Sequence, residues 1–134
     1  MTSQSIDMHN SEVWQHLKSG DDFPPGFTMR GTLPADPDGV ELMLEGWDAG
    51  STEPPHHHPG DDMTVMSQGE MQVQFYLEQD GKLVKDGPVQ VFSQGETAYI
   101  RKGRIHSVVY ASECRLVYIH SGAFDFIESK LPQA

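Results

Sequence analysis

Cysteine is nearly absent from this sequence: Cys114 stands alone, so no internal disulfide can form, and a reducing cytoplasm is the expected setting. Positive charge is scarce too. Nine Lys and Arg face 20 Asp and Glu, a formal net charge of -11. Nucleic acid and anionic membrane surfaces both need a positive field, so neither is expected as a partner. No apolar run is long enough to cross a bilayer, which excludes a helical membrane anchor. The opening MTSQSIDMHN has neither a basic region nor an apolar segment, so no export is expected.

What is present suits one small globular body. With 134 residues and 37% hydrophobic residues, the chain is expected to build a single core. Ser11 or Asn10 is placed to cap a short helix through Lys18, with Val13, Trp14 and Leu17 at helical spacing and Gly20 as its stop. Pro24, Pro25 and Gly26 then form a linker. Residues 1–26 are read as an N-terminal helix and linker, and 27–134 as a β-domain.

From Phe27 the pattern is that of short strands broken by turns. Strands are expected at 27–33, 40–47, 71–77, 88–92, 97–100, 105–110 and 114–120. The clearest alternation sets Met71, Val73, Phe75 and Leu77 against Gln72, Gln74, Tyr76 and Glu78. Asp80-Gly81 marks a hairpin turn. Phe124 to Ser129 is read as a final helical turn. The fold class is all-β, a barrel or sandwich.

The chemistry concentrates in Pro54-Pro55-His56-His57-His58-Pro59-Gly60-Asp61-Asp62. On an extended segment His56 and His58 project to one face and His57 to the other. A Pro-Gly bend then allows Asp62 to return toward the imidazoles, with Asp61 as the fallback. His106 opens a later β-run whose face continues through Val108 and Tyr110. Neutral imidazole suits Zn, Fe, Mn, Ni and Cu, with bonds of about 2 Å that require convergence from neighbouring elements. A solvated histidine tract is the plain alternative. Cys114 is read as a buried inert thiol, Ser107 has no triad or nucleophile elbow around it, and Met66 shares the parity of Asp62.

The spacing relative to glycines resembles the two conserved motifs of the cupin superfamily. The first has glycine, five residues, His-x-His, three or four residues, an acidic ligand, six residues and glycine. Here it reads Gly50, STEPP, His56-His57-His58, PGD, Asp62, MTVMSQ, Gly69. The second has glycine, five residues, Pro-x-Gly, two residues, His, three residues and Asn. Here it reads Gly95, ETAYI, Arg101-Lys102-Gly103, RI, His106, SVV, Tyr110. Asp62 replaces the usual glutamate and loses about 1.5 Å of reach. Arg101 replaces the proline, and Tyr110 the asparagine.

The resemblance implies a single-domain cupin β-barrel, of the double-stranded β-helix or jelly-roll type. It implies one divalent transition metal ion, Fe, Mn, Ni, Cu or Zn, held by His56, His58 and His106, with Asp62 either a fourth ligand or an orienting group. Tyr110 is then a candidate acid or base, or a barrel filler. The implied function is a mononuclear metal-dependent enzyme acting on a small organic substrate, with dioxygenase-type chemistry favoured. A non-redox lyase, isomerase or cyclase and a non-catalytic small-molecule-binding cupin are the alternatives. Small cupins are often homodimers, which the resemblance implies here.

Overall fold

A computed structural model of the chain describes residues 14–31 and 39–134. Among the described residues eleven strands run in chain order: β1 (Phe27–Gly31), β2 (Val40–Trp47), β3 (Thr52–His57), β4 (Asp62–Gln68), β5 (Met71–Gln79), β6 (Lys82–Lys85), β7 (Gln90–Phe92), β8 (Thr97–Ile100), β9 (His106–Tyr110), β10 (Cys114–Ser121) and β11 (Ile127–Glu128). They form two antiparallel sheets, ordered β1-β2-β10-β4-β8 and β11-β3-β9-β5-β6, with β7 also paired to β5. The all-β expectation holds. Among the described residues no helix is long and apolar enough to cross a membrane.

The core lies between the sheets. Met43, Trp47, Met66, Met71, Val73, Phe75, Ala98, Ile100, Val108, Tyr110, Cys114, Leu116 and Tyr118 form one buried cluster. Register explains which side chains reach it: His120 pairs with Glu41 and Asp62, and Tyr118 with Met43 and Thr64. Directly opposed residues share a face, so Glu41 and Asp62 enter the interior with His120 between them.

Several expectations are corrected. The described part of the expected N-terminal helix, from Trp14, is a turn followed by a bridge from Lys18 to Met29. His16 has φ 67°, a left-handed conformation that interrupts a helix; residues before Trp14 lie outside the described set. The expected helical turn at 124–129 is an extended strap whose β11 pairs with His56 and His57 of β3. Leu77, expected on the core face, is 44% exposed, because β5 pairs with β9 only as far as Phe75. Strands β3, β4 and β6 were not among those expected.

Turn chemistry fixes the corners. Gly50, Gly69, Gly95 and Gly103 all have positive φ. At Gly69 a side chain is doubly excluded, since a Cβ would sit 2.3 Å from the Glu113 carbonyl oxygen.

Candidate metal centre

Three buried imidazoles converge inside the barrel. His56, His58 and His106 each offer a ligand atom, and these atoms lie within 4.8 Å of one another. The cross-strand pair His56 and His106 bridges β3 and β9. His58 lies just beyond β3, and its carbonyl accepts the Gly103 amide at 2.9 Å, tying the two histidine segments together.

The rings are held by a common device. Nδ1 of His56 lies 2.7 Å from the Pro54 carbonyl, that of His58 2.7 Å from Asp125, and that of His106 2.8 Å from Arg104. A carbonyl can only accept, so each Nδ1 carries the proton and each Nε2 keeps its lone pair. Backbone-anchored Nδ1–H with a free Nε2 is the arrangement that fixes the tautomer and orientation of metal-ligating histidine. Burial lowers the pKa of His56 to about 2 and that of His106 to about 4, so both are neutral at physiological pH. Burial also lowers His58.

The fit to a cation is tested by the carboxylates. Asp62 is 3% exposed; its Oδ2 accepts the Tyr118 hydroxyl at 3.0 Å, while its Oδ1 is buried without a hydrogen-bond partner. Burial lifts Asp62 to about 6, against the pull of the Tyr118 hydroxyl. An orphaned carboxylate oxygen in the same interior as three free imidazole nitrogens offers donor types that suit a divalent transition metal. Asp62 nevertheless lies outside the set of atoms within 4.8 Å of one another. Asp61 is exposed and caps the Lys102 amide instead, at 2.8 Å.

Tyr110 faces inward, 3% exposed and stacked on Trp47 with ring centroids 4.3 Å apart. Its hydroxyl donates to Glu53 Oε1 at 2.5 Å, and Glu53 Oε2 lies 3.5 Å from His56 Nε2. Burial pushes Glu53 up to about 7, against the pull of Tyr110, and Glu45 up to about 8, with Glu53 the next cause. Glu53, Glu45 and the buried pair Glu41 and His120, 3.6 Å apart, were missed by sequence reasoning. The mouth of the site is covered by the strap: Phe126 stacks on His56 at 4.1 Å and Phe124 sits 5.3 Å from His58. Two surface clefts, one beside Trp14 and Leu17 and one beside Tyr76 and Arg104, include none of the three histidines in their linings.

No protein-family model matches the sequence, and no curated protein matches it. Solved structures do match in three dimensions. An oxalate oxidase is 24% identical with a TM-score of 0.62, over 87% of this chain and 66% of that one. A cupin superfamily protein from Desulfitobacterium hafniense is 14% identical with a TM-score of 0.55, over 78% of this chain and 83% of that one. The oxalate decarboxylase of Bacillus subtilis, described with Mn(II) centres, is 14% identical with a TM-score of 0.59, over 75% of this chain and 26% of that one. The chain has the cupin fold. Within that fold it carries a cluster of three histidines able to hold a metal ion.

Proposed function

We propose that this protein is a mononuclear metal-dependent enzyme acting on a small organic substrate, with oxidative, dioxygenase-type chemistry. The observation that carries the metal is the triple anchoring of Nδ1, which leaves Nε2 free on three histidines whose ligand atoms lie within 4.8 Å of one another. His56, His58 and His106 would hold the ion, and Asp62 would join through its unpartnered Oδ1. A bound transition metal would supply substrate coordination and, for a redox-active ion, electron transfer to oxygen. Likeness of fold to an oxalate oxidase and to a Mn(II) oxalate decarboxylase supports redox chemistry on a small oxygenated molecule.

The chain's own residues define the rest of the task. Phe124 and Phe126 shield the site from water. Tyr110 holds a proton at its hydroxyl, on Glu53, and Tyr118 does the same on Asp62. Burial raises the Tyr110 pKa well above the usual tyrosine value, so its role is to donate a hydrogen bond and position Glu53.

The test is metal loading followed by turnover. Protein purified without a histidine tag and reconstituted separately with Fe, Mn, Ni, Cu and Zn should retain close to one equivalent of at least one of them. Oxygen uptake with a panel of small hydroxy and keto compounds should then depend on His58. Retention of only a trace of every metal would sink the assignment. Tight ligand binding without consumption would favour a binding cupin, and turnover without oxygen a lyase or isomerase.

Assembly as a homodimer belongs to the same proposal. On the outer face of the first sheet, Leu42, Ile119, Met63 and Tyr99 lie in one cross-strand row. Leu42, Met63 and Tyr99 are 49%, 42% and 59% exposed. A contiguous apolar row on a sheet face fits a second copy of the chain. Sedimentation giving a clean monomer at micromolar concentration would defeat this part.

A further inference from the structure

Strand β3 contains an irregularity that changes which side chains enter the site. With a period of two, Glu53 belongs to the face of His57, since both are odd-numbered, and His56 to the opposite face. The pairing of β3 with β9 shifts between Glu53 and His56, across Pro54-Pro55. One extra residue on a bulged strand reverses the alternation. Glu53 and His56 therefore both point into the barrel, and Pro54, within the bulge, turns its carbonyl to accept His56 Nδ1–H at 2.7 Å.

The two oxygens of Glu53 are differently placed. Oε1 is held by the Tyr110 hydroxyl at 2.5 Å, and Oε2 faces the free nitrogen of His56 at 3.5 Å. The side chain is 17% exposed. Two ligand atoms bound to one ion at about 2.1 Å stand about 3.0 Å apart at octahedral angles and about 3.4 Å at tetrahedral ones. The observed separation is close to that edge at His56; Glu53, like Asp62, lies outside the set of atoms within 4.8 Å of one another, so its side chain must turn toward the other histidines to share their ion. A carboxylate with one oxygen anchored by a buried donor and the other 3.5 Å from a free imidazole nitrogen has the form of a supported metal ligand.

We propose that Glu53 is a carboxylate ligand of the metal, in addition to Asp62, and that the Pro54-Pro55 bulge exists to present it. This rests on the metal reading of the histidine cluster. It has a consequence for the substrate class: two carboxylates balance the charge of a divalent ion, leaving no net positive field to attract a dianion. The site is thereby fitted to a neutral molecule offering a hydroxyl or carbonyl oxygen, not to oxalate.

The test is Mn(II) affinity and the EPR spectrum of the Mn(II)-loaded protein, for the wild type, Glu53→Gln, Glu45→Gln and His58→Ala. Glutamine keeps an oxygen for the Tyr110 hydroxyl but replaces the other with an amide nitrogen, which does not ligate. Glu53→Gln should bind at least ten-fold more weakly with altered zero-field splitting. Its metal-free form should melt no lower than the metal-free wild type, which excludes a merely structural role. Glu45→Gln removes an interior carboxylate held by Trp47 Nε1 at 3.0 Å and should stay within two-fold of wild type. Glu53→Gln with unchanged affinity and spectrum, while His58→Ala loses the metal, would overturn the assignment of Glu53 and leave the metal site standing. No binding by the wild type would overturn the metal site itself. Oxalate at millimolar concentration should leave the wild-type spectrum unchanged; a clear oxalate-dependent change would overturn the substrate inference.

Discussion

The Nδ1 of His58 donates to the carbonyl of Asp125, 2.7 Å away across 67 residues of sequence, and so ties a candidate metal ligand to the strap that covers it. The next residue, Phe126, stacks on His56. Opening the strap therefore disturbs both the orientation of His58 and the shielding of His56.

Phe126→Ala should speed metal loss several-fold. Phe126 is 38% exposed, so removal of its ring is expected to cost only about 1 kcal/mol of stability. Stopped-flow transfer of the metal to a chelator measures the rate, and urea denaturation the stability. An unchanged transfer rate would show that the strap does not control access to the ion.

The motif glycines separate strain from crowding. Gly50 and Gly69 have nearly the same φ, 86° and 88°, but a Cβ at Gly50 meets nothing within 4 Å, whereas at Gly69 it meets the Glu113 carbonyl and Cys114 Sγ. Gly50→Ala should cost about 1 kcal/mol from the left-handed backbone alone. Gly69→Ala should cost about 1–3 kcal/mol more through the clash. Equal losses in urea denaturation would contradict the geometry.

This contrast also shows what was legible in the sequence. Glycine spacing located the two motifs because turns of positive φ admit few other residues, and alternation placed His56 and His58 together. Parity failed at Glu53, because a bulge at Pro54-Pro55 cannot be read from residue types alone. It was silent about Glu41, Glu45 and His120 for another reason. In β2 the outward residues Val40 and Leu42 are apolar while the inward Glu41 and Glu45 are acidic, the reverse of the usual pattern. Extended Phe124–Ser129 was mistaken for a helical turn because its order comes from pairing with β3, a contact distant in sequence.

Glu45 makes the stability of the metal-free protein depend on pH. Its pKa is raised from 4.5 to about 8, mainly by burial, so the folded state holds a proton that the unfolded chain has released. The stabilisation is complete below the unfolded value and is lost as pH rises through the folded one. Stability should therefore decline between about pH 4.5 and pH 8, by at most about 1.4 kcal/mol per pH unit for each such group. Glu53, raised to about 7, adds to the slope in the same direction. Glu45→Gln cannot ionise and should be flatter in pH, exceeding the wild type at pH 8 by at least about 1 kcal/mol. Parallel wild-type and variant curves in urea denaturation from pH 5 to 8 would refute the assignment.

Metal should stabilise the fold through the histidines, since an ion that binds only the folded state shifts unfolding by mass action. At free metal one hundred times the dissociation constant, the gain is about 2.7 kcal/mol. The histidines come from β9, from β3 and from the bend after it, while Asp62 belongs to β4 in the other sheet. An ion bound by all of them joins the two sheets. His106→Ala should abolish the metal-dependent rise in melting temperature, and Asp62→Asn should reduce it. A rise that survives His106→Ala would place the stabilising ion elsewhere in the molecule.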